Sequence, residues 1–182
     1  MQNIRKSAAF FLMFTLLAAL PAHAAAPDIT PAPGQVNPYR TRSELLMDAA
    51  KHTGVSTPEQ AAAIWAKGLE QRSAALQYTV MTAALQDEYA AGLDALRSNC
   101  VTGMSSPWVQ NAAFTSVRRP DNTHAEISLR FETASSAGPA GTYTAKLWLV
   151  REGGFWRIGR IRAEEGLYPY TLYKPERSSP SA

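Results

Sequence analysis

The chain is poor in the residues that carry the commonest nucleophilic and metal chemistry, with one Cys and three His in 182 residues. A lone Cys100 closes no internal disulfide, so the fold is not a disulfide-stapled one. Its plain reading is a small buried apolar residue. His52, His124 and Cys100 have no ligand spacing on one helix or turn, so no metal is expected. A Gly-x-Ser-x-Gly elbow, a phosphate loop and a dinucleotide fingerprint are all missing, which leaves no cofactor and no catalytic residue to nominate. Long apolar runs are scarce too. The longest spans residues 8–20, about 13 residues, short of the roughly 20 that cross a bilayer as a permanent helix.

That run has a different meaning. Arg5 and Lys6 precede it, and Pro21, Ala22, His23 and Ala24 follow, the layout of a secretory leader cut after residue 24. Cleavage after residue 24 of 182 leaves 158 residues, no transmembrane segment, and a periplasmic or secreted protein. The formal net charge of +3 falls to +1 once Arg5 and Lys6 are gone, so no nucleic-acid partner is implied. With 46% apolar and 18% charged residues, the remainder is an ordinary folded domain rather than a disordered one.

Pro27, Pro31, Pro33 and Pro38 make residues 25–40 an extended tether. Residues 41–96 are rich in Ala, Leu, Glu, Gln and Met, and three helices fit that length. The second has the clearest start, a capping box from Thr57 with Gln60 or from Ser56 with Glu59, with Pro58 in the first turn. Its stripe Ala61, Ile64, Trp65, Gly68 and Leu69 is apolar, with Gly68 admitting a close neighbour. A third helix runs from about Ala74 past Tyr89, with a break near Thr82. After Pro107 the period changes to two. Strands are expected over 108–119, 124–133, 141–151 and 155–163, with Ala125, Ile127, Leu129 and Phe131 inward and Glu126, Ser128, Arg130 and Glu132 outward. The result is an α+β domain over 41–165, about three N-terminal helices packed on a curved antiparallel sheet of about four strands, followed by an aromatic and then disordered tail over 166–182.

The helix Glu59-Gln60-Ala61-Ala62-Ala63-Ile64-Trp65-Ala66-Lys67-Gly68-Leu69, the following Ala74-Ala75-Leu76-Gln77-Tyr78 and the ending Gly153-Gly154-Phe155-Trp156-Arg157-Ile158-Gly159-Arg160-Ile161 resemble the nuclear transport factor 2-like superfamily, an α+β cone. Gln71-Arg72-Ser73 departs from the Gly- or Asp-containing break usual there. The resemblance implies a fold and little chemistry, because the superfamily hosts isomerases, cyclases, secretion-system components and non-catalytic envelope domains. Catalytic members need an inward acid or base. Here Glu126, Arg130, Glu132 and His124 take outward positions, with Glu132 and Lys146 as cross-strand partners. His52 ends the first helix as a cation on its dipole.

The expected function is therefore an exported, non-enzymatic binding domain of the cell envelope. The alternatives are a small isomerase or cyclase with a cone pocket, and a secretion or conjugation apparatus component. The candidate ligand or partner surface comprises Trp65, Tyr78, Tyr143, Trp148, Trp156 and Arg160, for an envelope protein or a small apolar ligand. Trp148 and Val150 lie opposite Leu147 and Leu149, an outward apolar patch to be covered by a second copy or by the tail Tyr168-Pro169-Tyr170-Thr171-Leu172-Tyr173. Charge is uneven, with 8 basic and 4 acidic residues over 108–163, so Arg118, Arg119, Arg157, Arg160 and Arg162 form a basic half suited to an anionic partner.

Overall fold

The computed structural model describes residues 38–96 and 100–172. The expected leader, most of the expected tether and the end of the tail, Tyr173 included, lie outside the described residues. Four helices come first: α1 (Pro38–His52), α2 (Pro58–Glu70), α3 (Ala74–Thr79) and α4 (Ala83–Ala95). Strands β1 (Trp108–Arg118), β2 (His124–Ser135), β3 (Gly138–Glu152) and β4 (Phe155–Ala163) form an antiparallel sheet in the order β1-β2-β3-β4. A 3-10 turn (Glu165–Leu167) and a short α5 (Tyr168–Thr171) close it. The class is α+β with a four-stranded antiparallel sheet, and the helix count of three is corrected to five among the described residues.

Both differences in the helical half have local causes. Proline fits the first helical position, where its missing N–H costs nothing, so α1 begins at Pro38 inside the expected tether. The long third helix is two helices because β4 takes the backbone between them. Ile158 N–H donates to Val80 O at 2.7 Å and Thr82 N–H donates to Ile158 O at 2.9 Å, while the Thr82 side chain caps α4. The break near Thr82 is thus a point of strand pairing.

α2 starts as its sequence indicates. Thr57 and Gln60 form the reciprocal capping box, and Pro58 opens the first turn. A Cβ on Gly68 would stand 2.6 Å from Gln77 Cγ, so α2 and α3 meet there only because this residue is glycine. The Gln71-Arg72-Ser73 break works without glycine: Arg72 takes φ 56° and is held by Thr102, whose N–H donates to Arg72 O at 3.1 Å.

The sheet register is the expected one. Ala125, Ile127, Leu129 and Phe131 of β2 are buried, as are Ala145, Leu147 and Leu149 of β3. They face Ala61, Ala62, Trp65 and Leu69 of α2 in one core, where Trp65 meets Phe131 edge-on at 5.8 Å. One ion pair is corrected: Lys146 reaches Glu126 at 2.6 Å, and Glu132 faces Arg130 of its own strand at 3.7 Å. In register Lys146 lies opposite Ser128, which makes Glu126 its diagonal neighbour.

The tail goes elsewhere than expected. Leu167, Tyr170 and Thr171 are buried in the core instead of lying on the Trp148 face. Tyr170 O–H donates to Pro107 O, Gln77 Nε2 donates to Tyr170 O at 2.9 Å, and Gly103 N–H donates to Pro169 O at 2.7 Å. Burying a tyrosine ring releases more free energy than laying it on a half-wet surface, and satisfied backbone partners are available inside. Cys100 is corrected as well, being exposed rather than buried.

Candidate functional site

Arg157 carries the only charge among the buried side chains of the described residues. It was expected on the solvated basic face, and it is 7% exposed. Its Nη1 donates to Thr79 O at 3.2 Å, and its Nη2 donates to Ala50 O and Thr53 O, each at 3.1 Å. These are the carbonyls that the ends of α1 and α3 leave unpaired. A C-terminal helix end is partly negative, so a guanidinium there is solvated by carbonyl dipoles in place of water or a carboxylate. One side chain thereby joins α1, α3 and β4.

The junction leaves a groove of about 450 Å³. Leu46, Met47 and Ala50 of α1 form one wall, and Tyr78, Met81 and Ala83 form the other. Gln86, Lys51, Glu152 and Arg157 supply the polar margin. Leu46 is 72% and Met47 56% exposed, so this wall of α1 presents apolar area outward. Predominantly apolar walls with a few polar groups, at this volume, are the ordinary makeup of a small-molecule site.

Of the six residues singled out from the sequence, Tyr78 alone lines the groove. Trp148 and Arg160 do come together: Arg160 Cζ stands 5.0 Å and Lys146 Nζ 4.9 Å from the Trp148 ring centroid. Val150 lies opposite Arg157 on β4. Trp65 is core, Trp156 is buried and its backbone N–H donates to Val55 O at 2.9 Å, and half-buried Tyr143 packs its ring against Gly166. Sequence reasoning put Arg157 on the outer basic face instead of in the junction, and missed Leu46 and Met47. The Leu45-Leu46-Met47 run in a helix with few other apolar residues was the available signal.

Among the described residues, no carboxylate, imidazole or amine is buried in the interior. The buried polar or charged residues among those described are Gln77, Thr102, Thr133, Arg157 and Thr171, amide, hydroxyl or guanidinium in every case. No group of three His, Cys, Asp or Glu gathers among the described residues. His124 is exposed and paired with Asp121 at 2.9 Å, in the turn before β2. Hydrogen bonds from the side chain and backbone of Thr123 lower the Asp121 carboxyl to about 2. Glu126 is held below its usual range chiefly by its hydrogen bond from Lys146.

Trp65 Nε1, Gln77 Oε1 and Tyr89 O–H are buried without a hydrogen-bond partner. Burial raises the Tyr89 phenol above its ordinary value, so alkali must ionise it in an apolar setting. A raised folded value means that its contribution is full below pH ~10 and is lost as pH rises through the folded value. Tyr89→Phe removes an orphaned hydroxyl and the titration together. It is expected to hold or raise stability by up to about 1 kcal/mol at neutral pH, and to reduce the alkaline loss. Urea unfolding at neutral and alkaline pH measures both, and a loss above about 2 kcal/mol at neutral pH would show that the hydroxyl is bonded after all.

Helices against a four-stranded antiparallel meander are the layout that the resemblance to nuclear transport factor 2-like proteins implied, here with a lateral groove beside a filled interior. Solved structures similar to this chain include an NTF-2 like protein of unknown function from Shewanella oneidensis, at 9% identity and TM-score 0.44 over 57% of this chain and 93% of that one. A ketosteroid isomerase-like protein from Erwinia carotovora atroseptica is similar at 14% identity and TM-score 0.43, over 60% of this chain and 93% of that one. A protein of unknown function with a cystatin-like fold from Nostoc punctiforme is similar at 13% identity and TM-score 0.37, over 59% and 88%. No protein-family model and no curated protein matches the sequence.

Proposed function

We propose that this chain is an exported, non-enzymatic binding domain of the cell envelope, and that it takes a small apolar ligand in the groove beneath α1. The observation that carries this reading is the groove, with exposed Leu46 and Met47 on one wall and Tyr78 and Met81 on the other. A binding role is further supported by the character of the buried polar side chains, which supply hydrogen bonds and one fixed charge. Arg157 and Lys51 outnumber Glu152 at the margin, which favours a ligand whose polar end is neutral or anionic. Export rests on the leader pattern at residues 1–24, and no helix among the described residues is long and apolar enough to cross a membrane.

The uncharged fluorophore N-phenyl-1-naphthylamine tests the groove. The chain should bind one equivalent with a saturating rise in emission. Leu46→Glu and Met47→Glu change exposed positions, so the fold should survive, and each should weaken binding about tenfold. Unsaturable emission, or equal binding by parent and variants, would remove the groove from consideration. Mass spectrometry of the protein recovered from the envelope fraction tests export separately, with a new N-terminus near residue 25 expected and an intact leader counting against it.

A further inference from the structure

We infer that the open edge of β1 is a self-pairing surface through which two copies of the chain join, β1 antiparallel to β1, into one continuous sheet. The two edges of the four-stranded sheet are built differently. β4 carries Arg157, Arg160 and Arg162, and its outer backbone is covered: Trp156 pairs with Val55, and Ile158 pairs with Val80 and Thr82. β1 is 11 residues long, and its first charge is Arg118 at the end. No hydrogen bond among the described residues engages the β1 backbone on the side away from β2. A long, uncovered edge strand is a template for another strand, and proteins that stay apart usually blunt it with charge, proline or bulges; β1 has two register shifts but no proline and no charge before Arg118.

The side chains select a second copy as the occupant. Pairing with β2 places Val109, Ala112, Phe114 and Val117 on the helix side, opposite Thr133, Phe131, Leu129 and Ile127. Two register shifts in β1 make this set symmetric about Ala113. A twofold axis through Ala113 therefore sets half-buried Ala112 against exposed Phe114 of the other copy and brings exposed Val117 to the rim over core residue Val109, apolar against apolar on one face. On the opposite face Trp108 meets Arg118, and the two Arg118 side chains end far apart. Phe114 is 46% and Val117 45% exposed although both point to the helix side, so the apolar face runs past α2 to this edge.

The chain's own remaining segments are unsuited to the position. Residues 25–37 carry prolines at 27, 31 and 33, and residues 173–182 carry them at 175 and 180. Proline and glycine are poor strand formers, so either segment is a weaker partner for β1 than a second copy of β1 itself. Residues 1–24 are removed on the export reading, and this inference rests on that part of it. The groove beneath α1 adjoins β4, so both copies keep it open.

Sedimentation equilibrium of the purified chain should show association to twice the monomer mass. Phe114→Lys brings two cations together across the axis and should raise the dimer dissociation constant at least tenfold, with circular dichroism reporting an unchanged monomer fold. Position can be read independently in a Cys100→Ser background. Ala113→Cys lies on the axis and should oxidise to a cross-linked dimer, while Ser116→Cys, roughly 20 Å from its counterpart, should not. A chain that stays monomeric at every concentration overturns the inference. So does a dimer that tolerates Phe114→Lys but is dissociated by Trp148→Lys, which would place the contact on the outer sheet face, and so does equal cross-linking at 113 and 116.

Discussion

Arg157→Met is expected to lower stability by about 3 kcal/mol or more and the melting temperature by roughly 10 °C. The variant removes the donors that hold Thr79 O, Ala50 O and Thr53 O, and methionine fills similar volume without replacing any of them. α1 has few other holds on the domain, since Ala50 is its only residue with a partly buried side chain among those described. Hydrogen exchange should therefore accelerate in α1 before it does in the sheet. Arg157→Lys should recover only part of the loss, because an ammonium offers three donors from one point where the guanidinium reaches carbonyls on two sides. N-phenyl-1-naphthylamine binding should fall in the same variants, because the groove loses the wall that α1 provides. An Arg157→Met protein that melts with the parent would show that the carbonyls are as well served by water.

Tyr170→Ala should cost about 4 kcal/mol, the usual range for emptying a buried aromatic site. The ring is buried beside Gly103, where a Cβ would come within 2.3 Å of it, and its hydroxyl holds Pro107 O. Tyr170→Phe keeps the ring and should lose about 1 kcal/mol, which separates packing from the hydrogen bond. Ending the chain at Gly166 removes Leu167, Tyr170 and Thr171 from the core together, and that truncation is expected not to fold. Circular dichroism and limited proteolysis would report it. A folded, soluble truncation would mean that α5 is an accessory to the domain.

These two residues mark where sequence reasoning fell short. Tyr170 sits in a Tyr-Pro-Tyr segment after the last strand, and nothing in its local pattern says whether the rings lie on the sheet or enter the core. Gly103 and Pro107 receive it from more than 60 positions upstream, so the decision is made by a long-range partner. Arg157 sits between two buried apolar neighbours, Trp156 and Ile158, and alternation alone assigns such a position to solvent. Its partners are backbone carbonyls, which every sequence has and no sequence advertises. The split between α3 and α4 has the same origin, since the β4 edge claims Val80 and Thr82 that would otherwise continue a helix.

Local chemistry determined what could be read directly from the chain. Period-two alternation set the β2 register, because a slip by one residue would turn Ile127, Leu129 and Phe131 to solvent. Thr57, Pro58 and Gln60 fixed the start of α2 through bonds made within one turn, and Gly68 marked where α3 approaches it. Tertiary structure alone decided where Arg157 goes, where the groove opens and which sheet edge is left uncovered among the described residues. Each depends on groups distant in sequence competing for the same unpaired backbone, and that competition is settled only when the elements meet.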